Sequence, residues 1–121
     1  MPRTIAISVL SQDGLAAKLD PRFGRAAYFL IAVEESGDWQ VKEIYDNAAK
    51  DDAHGAGGAA AAHLSRLGVD GVISGRFGPK AYQALEVLQI KMWLADEGVT
   101  ARDALAAFSE NRLKEMIVAV Y

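Results

Sequence analysis

The chain has 121 residues, of which 51% are hydrophobic and 24% are charged, and this is typical of one globular domain with a single core. It contains no cysteine, which excludes disulfides, thiolate nucleophiles and cysteine-held metal clusters from the chain itself. The formal net charge of −3 disfavours nucleic-acid binding, which needs a basic face. We therefore expect a single domain over residues 1–121 with no nucleic-acid partner.

The start of the chain and its apolar runs bear on where the protein works. Met1 to Thr4 lead directly into a short apolar run, without the features of a signal peptide. No apolar run approaches the roughly 20 residues that a membrane helix requires. From these two features we expect a cytoplasmic protein without a membrane partner.

The first half of the chain predicts three β-strands. Thr4–Leu10 is mostly apolar on both alternating faces, which is typical of a central strand covered on both sides. After the polar, glycine-containing stretch 11–25, a second strand is predicted at Tyr28–Val33 and an edge strand at Trp39–Asp46. Turn-forming residues at 34–38 separate these two strands and indicate an antiparallel hairpin.

The next part of the chain alternates helices with strands. A helix is predicted at Ala59–Leu67, with Gly68 at the position of a C-terminal cap, and a short buried strand follows at Val69–Ser74. A second helix begins after Gly78, with Pro79 at its first position. The face of this helix that turns to the core is predicted to hold Ala81, Tyr82, Leu85 and Leu88.

The last part of the chain predicts one more strand and one more helix. The strand is Ile90–Leu94, and Thr100 with Asp103 three residues later indicates a capping box at the start of the helix. Residues 115–121 are compatible with a final strand or with a packed tail. The resulting fold is α/β: a mixed five-stranded sheet of order 3-2-1-4-5 with strand 2 antiparallel and helices on both faces.

This topology predicts where a ligand binds. In open α/β sheets, ligands bind beyond the carboxyl ends of the parallel strands, and three glycine-containing segments converge there: 22–25, 54–58 and 75–79. Two of them open helices, whose N-termini offer unpaired N–H groups and a partial positive charge. We therefore predict a pocket for an anionic ligand. The candidate binding residues are Arg22, Phe23, Gly24, Arg25, His54, Gly55, Gly57, Gly58, Gly75, Arg76 and Gly78.

The two histidines have different prospects as metal ligands. His54 is the candidate in these segments because imidazole suits iron and several other metals, and the alternative is a loop histidine that caps the helix or contacts water. His63 lies nine residues later in the alanine-rich helix and does not pair with His54 at a known metal spacing. We interpret His63 as structural or solvated.

Several motifs, each short, occur in a distinctive order along the chain. They are the FGRA of Phe23–Ala26 before Tyr28-Phe29, Asn47 followed by His54–Gly57, the GVDGVI of 68–73 with Gly75 and Gly78–Ala81, and the pattern LxxLxIKMW at 85–93. In this order they resemble the dinitrogenase iron–molybdenum cofactor family, which includes NifX-type proteins and the C-terminal domain of NifB-type proteins. The resemblance covers about residues 4 to 110.

The resemblance implies a fold and a function. The fold is a three-layer α/β/α architecture of the RNase H-like type. The function is binding or delivery of a metal–sulfur cluster in nitrogen fixation, with cofactor-assembly proteins as partners. The cluster would be the iron–molybdenum cofactor, its precursor or a related molybdenum-containing cluster. Related small proteins hold a molybdenum–copper sulfide cluster without covalent thiolates, so a chain without cysteine is compatible with this role.

One departure from the family pattern affects the expected ligands. Family members often carry histidine immediately before the FG pair, and this chain has Arg22 there. His54 is then the remaining candidate side-chain ligand to metal, or binding is purely electrostatic. We expect replacement of His54 by alanine to weaken cluster binding and to leave the fold intact.

Two other functions compete with the carrier role. A metal-dependent nuclease needs several converging carboxylates, and none of the candidates, Asp13, Asp20, Asp46 and Asp96, lies in the first strand. We therefore expect no enzyme activity. The stronger alternative is a regulatory domain that binds a small phosphate-bearing metabolite at the same glycine-rich helix starts.

Overall fold

The computed structural model describes residues 3–48 and 55–117. This part of the chain has six strands and three α-helices: three strands come first, and helices and strands then alternate. A short 3₁₀ turn at Gly14–Ala16 follows the first strand. The strands and helices are β1 (Arg3–Val9), β2 (Tyr28–Glu35), β3 (Asp38–Asp46), α1 (Ala56–Arg66), β4 (Gly71–Ser74), α2 (Pro79–Val87), β5 (Lys91–Leu94), α3 (Ala101–Ser109) and β6 (Lys114–Glu115).

All six strands form one mixed sheet of order β3-β2-β1-β4-β5-β6. The parallel pairs are β1 with β4 and β4 with β5, whereas β2 and β6 are antiparallel to their neighbours. The predicted order 3-2-1-4-5 describes the first five positions, but the predicted count of five strands is wrong. The sixth strand pairs only two residues, Lys114 and Glu115, with β5. Both are exposed, so no apolar periodicity marks this strand in the sequence.

Helices cover both faces of the sheet, as predicted. On one face, Leu64 of α1 and Leu85 of α2 pack with Ala6 of β1. On the other face, Phe108 of α3 belongs to a cluster with Ile5 and with other strand residues. Because β1 is buried from both sides, both of its alternating faces are mostly apolar, and Ser8 is the buried polar residue of this strand. The molecule is therefore a layered α/β structure with its core divided by the sheet.

Local sequence signals correctly mark the start of α3 and the end of α1, but the end of α2 differs from prediction. At the start of α3, the hydroxyl of Thr100 accepts a hydrogen bond from the Asp103 N–H at 3.1 Å, which completes the predicted capping box. At the end of α1, Gly68 has φ +73°, the left-handed conformation that favours glycine. Helix α2 ends at Val87, so Leu88 lies beyond the last turn and is exposed instead of facing the core, contrary to prediction.

The start of α1 also differs from prediction. The helix begins at Ala56 and includes Gly57 and Gly58, three residues before the predicted start at Ala59. Glycine has a low intrinsic helix propensity, and here the packing of Gly57 against α2 outweighs that local preference. Within residues 3–48 and 55–117, no helix is long and apolar enough to cross a membrane.

Candidate functional site

A cavity of about 490 Å³ lies beyond the carboxyl ends of the parallel strands, at the edge of the sheet that topology predicts. It is bordered by the loop at 22–25 and by the first turns of α1 and α2. We call this cavity the groove. The residues that line it are Arg22, Phe23, Gly24, Arg25, Gly55, Ala56, Gly57, Arg76, Gly78, Pro79, Lys80 and Ala81.

Two helix N-termini open on the groove without side-chain caps. The N-cap residues are Gly55 for α1 and Gly78 for α2, and neither has a side chain that could accept a capping hydrogen bond. The first intrahelical bonds are those from the Ala59 N–H to the Gly55 carbonyl, at 2.8 Å, and from the Tyr82 N–H to the Gly78 carbonyl, at 2.9 Å. Earlier N–H groups have no acceptor within their own helix, so both ends present donors and partial positive charge.

The floor of the groove is a set of close contacts that require glycine. A Cβ atom on Gly24 would lie 2.8 Å from the backbone nitrogen of Gly57. A Cβ atom on Gly57 would lie 2.8 Å from the Cβ of Ala81. The loop, α1 and α2 therefore meet along the line Gly24, Gly57 and Ala81, and a ligand in the groove faces mainly backbone.

A buried carboxylate holds the loop that carries Arg22. Asp20 is fully buried, and its oxygens accept hydrogen bonds from the backbone N–H groups of Arg22, at 3.0 Å, and Ala27, at 3.1 Å. The guanidinium of Arg22 donates to the same carboxylate from Nε and Nη2, both at 3.1 Å. Hydrogen bonding and charge attraction from Asp20 raise the pKa of Arg22 above its ordinary value, so Arg22 is charged throughout the accessible pH range.

A buried amide holds the other end of the loop. Asn47 is 4% exposed, and its Nδ2 donates to the carbonyls of Gly24, at 3.0 Å, and Ala26, at 2.9 Å. The motif pattern includes Asn47, but its sequence position alone does not reveal this role. The amide ties the segment that leaves β3 to the loop that borders the groove.

Phe23 has a larger role in the core than in the groove. It is 2% exposed, and its ring centroid lies 5.3 Å from those of both Phe29 and Phe77. Such ring pairs add to the stability gained by burial. Phe23 therefore borders the groove while anchoring the loop in the hydrophobic cluster beneath it.

The structure brings together most of the predicted binding residues and leaves two aside. Gly75 is not a lining residue: a Cβ there would lie 2.7 Å from the Cα of Pro21, so this glycine serves close packing. Gly58 also does not line the groove, and a Cβ there would contact nothing within 4 Å. His54 lies outside the described residues, and its predicted role as a metal ligand stays a prediction.

Positive charge surrounds the groove. Arg22, Arg25 and Arg76 line it, as does Lys80, which is not among the binding residues predicted from the sequence. The signal was present, because Lys80 directly follows the Gly-Pro pair that starts α2. Four cationic residues thus adjoin two helix N-termini in a chain whose net charge is −3. The arrangement can bind an anion by charge and by N–H donation.

The carboxylates do not form a nuclease-type centre within the described part of the chain. Asp13, Asp46 and Asp96 are exposed, and Asp20 is bound to Arg22. No group of three or more His, Cys, Asp or Glu side chains that could hold a metal ion occurs among residues 3–48 and 55–117. His63 packs its ring 5.4 Å from that of Tyr45, in keeping with a structural role.

Several known proteins are similar to this chain. A family model described as dinitrogenase iron-molybdenum cofactor matches residues 3–111. The apo form of the orange protein from Desulfovibrio gigas has 35% sequence identity and a TM-score of 0.87, over 98% of this chain and 97% of that one. A Thermotoga protein solved by NMR and provisionally described as a NifB protein has 33% identity and a TM-score of 0.81, with the same coverage. An uncharacterized protein of Methanocaldococcus jannaschii is 33% identical over 98 residues, which is 81% of this chain and 82% of that protein.

Proposed function

The chain belongs to the dinitrogenase iron–molybdenum cofactor family, and on that premise we propose that it is a carrier or accessory protein that binds an anionic metal–sulfur cofactor in the groove. The ligand is the iron–molybdenum cofactor, its precursor or a related molybdenum-containing cluster, and cofactor-assembly proteins deliver or receive it. In this role the chain has no catalytic activity of its own. A similar protein, the orange protein, was solved in an apo form, which supports a ligand-binding role for this fold.

The observation that carries the proposal is the convergence of two uncapped helix starts and four cationic side chains on one groove. An anionic cluster brings its own sulfides and its own negative charge. It therefore needs N–H donors, positive charge and a backbone surface that it can approach closely. The backbone at Gly24 and Gly57 supplies that surface, Arg76 supplies charge, and Arg22 supplies N–H donors.

The residues of the groove are suited to contact the outer sulfides of a cluster and are less suited to coordinate its metal ions. The chain has no cysteine, and the described residues offer no cluster of metal ligands. We propose that binding is mainly electrostatic, with His54 as the single side-chain ligand to metal. His54 directly precedes Gly55 in the sequence, and Gly55 lines the groove.

A phosphate-bearing metabolite is the second candidate ligand. The specific observation in its favour is that two helix N-termini point to one groove, since phosphate binds at such ends through backbone N–H groups. The two ligands differ in colour and in metal content, so a direct titration separates them.

The test is an anaerobic titration of the purified protein with isolated iron–molybdenum cofactor, read by visible absorption and by co-elution of metal in gel filtration. We expect stoichiometric co-elution. Replacement of Arg76 by alanine should weaken binding about fivefold, equivalent to about 1 kcal/mol for one exposed charge, and the loss should shrink with added salt. Arg66→Ala, at an exposed arginine in the last turn of α1, is the matched control and should bind like the wild type.

Two results would count against parts of this proposal. Absence of co-elution, under conditions where a known carrier retains the cofactor, would contradict the carrier role. A rise in melting temperature with inorganic phosphate in that case would support the metabolite-binding candidate. Separately, an unchanged affinity in the variant His54→Ala would exclude His54 as a ligand to metal and leave electrostatic binding.

A further inference from the structure

We propose that Asp20 is a positioning residue for the groove, which fixes the guanidinium of Arg22 so that its remaining N–H donors face a bound anion. This inference rests on the proposed function, because it assigns a task within the same binding site. It also gives Asp20 a role different from that of a carboxylate in a nuclease centre.

The carboxylate is built into the fold. Asp20 has no exposed surface, and its own backbone is held to the sheet: its N–H donates to the Ser8 carbonyl at 2.8 Å. The hydroxyl of Ser8 donates to the Asp20 carbonyl at 2.7 Å and lies 2.8 Å from the hydroxyl of Ser74. Asp20 is therefore held directly to β1 and, through Ser8, indirectly to β4, the two central strands that end at the groove.

Asp20 determines the direction of Arg22 as well as its position. It accepts from Nε and from Nη2 of the guanidinium and also from the backbone N–H of the same residue. A guanidinium has five N–H groups in a rigid plane. The two that Asp20 uses lie along one edge, which leaves the other three for a ligand. The Arg22 side chain is 48% exposed and lines the groove, so this second edge is accessible.

Charge alone does not explain the arrangement. As a simple charge, Asp20 opposes anion binding, because a negative group 3.1 Å from the guanidinium cancels its positive charge at a distance. A buried carboxylate is also costly to desolvate unless it is fully hydrogen-bonded. What the pair offers a ligand is direction: a rigid, preorganised donor edge that needs no further ordering when the anion binds.

These two views of Asp20 predict opposite effects for one substitution. In Asp20→Asn the negative charge is removed, and the one remaining oxygen can accept from only one of the two backbone N–H groups of the loop, because those of Arg22 and Ala27 bond to different oxygens of Asp20. If Asp20 acts only as a charge, anion binding becomes tighter. If Asp20 positions Arg22, binding becomes weaker by about tenfold, the lower end of the range found for groups that orient metal-ligating side chains.

The experiment is a double-mutant cycle with the variants Asp20→Asn, Arg22→Ala and their combination, titrated anaerobically with isolated iron–molybdenum cofactor. We expect Asp20→Asn to weaken binding in the wild-type background and to change it less than about twofold when Arg22 is already alanine. Arg22→Lys is the second variant. It keeps the charge but cannot make the two-point contact, so it should lose affinity as Asp20→Asn does. If Asp20→Asn fails to fold, unchanged binding of Arg22→Lys still overturns the positioning role.

Each failure has its own signature. Lack of binding by the wild type overturns the proposed function and this inference with it. Wild-type binding combined with equal or tighter binding of Asp20→Asn, or with unchanged binding of Arg22→Lys, overturns only the positioning role. An equal loss from Asp20→Asn with and without Arg22 also overturns it, since the effect would then arise from the loop. In NMR spectra of the free protein, a slowly exchanging Arg22 Nε–H should be present and should disappear in Asp20→Asn.

Discussion

The contact between α1 and α2 at the groove can be tested with two adjacent glycines of the same helix. A Cβ on Gly57 would lie 2.8 Å from the Cβ of Ala81 and 3.1 Å from its Cα, whereas a Cβ on Gly58 would meet nothing within 4 Å. Both residues lie within the first turn of α1. The variants Gly57→Ala and Gly58→Ala therefore add the same methyl group to the same helix, and only one of them meets an obstacle.

The expected magnitudes follow from two opposing effects. Replacing glycine by alanine in a helix stabilises the folded state by about 0.5–1 kcal/mol. Carbon atoms pack best about 3.5–4.0 Å apart, so in Gly57→Ala the two helices must separate by roughly 0.7 Å. Overpacking of this kind costs about 1–3 kcal/mol. We expect Gly58→Ala to be stabilised by about 0.5–1 kcal/mol and Gly57→Ala to be destabilised by about 1–2 kcal/mol.

The assay is urea denaturation followed by far-ultraviolet circular dichroism, with both variants measured against the wild type. The helix propensity gain is common to both variants, so their difference in unfolding free energy isolates the cost of the contact. Because Gly57 also lines the groove, Gly57→Ala should bind the cofactor more weakly, whereas Gly58→Ala should bind it unchanged. Equal stability changes in the two variants would refute the reasoning, since the close helix contact would then have no energetic consequence.

Two further variants separate stability from binding. Asn47→Ala leaves the carbonyls of Gly24 and Ala26 without their buried donor, so we expect a loss of about 1–3 kcal/mol together with weaker cofactor binding; a loss below about 0.5 kcal/mol would contradict this. Thr100→Ala removes the capping box of α3, at a cost of about 0.5–2 kcal/mol. Because α3 packs on the face of the sheet opposite α1 and α2, the Thr100→Ala variant should bind the cofactor with the affinity of the wild type. A loss of affinity in this variant would show that the stability of α3 and binding in the groove are not independent.

Much of the fold follows from patterns within short stretches of the chain. The apolar alternation of Thr4–Leu10 marks a strand that is buried from both sides, and the structure confirms it. The Thr100–Asp103 pair marks the start of α3 for an equally local reason. A two-residue strand such as β6 has no comparable signal, because its only defining feature is the pairing with β5.

The edge of the sheet where the groove lies also follows from the sequence, through topology. Once the strand order places the ends of β1 and β4 side by side, the loop at 22–25 and the starts of α1 and α2 must meet there. The sequence does not show which glycines border the groove and which serve close packing elsewhere. Gly24 and Gly75 look alike in the chain, but one packs against Gly57 at the groove and the other against Pro21 behind it.

By itself the sequence determined the α/β class, the order of the strands in the central sheet and the gathering of glycine and arginine at one edge. These depend on periodicity and on turn chemistry, which act over a few residues. Only the tertiary structure decided that Asp20 binds Arg22, that Asn47 fastens the loop and that Gly57 fits against Ala81. Each of these contacts requires that the two partners be placed to within a few tenths of an ångström. That placement exists only once the strands and helices have packed together.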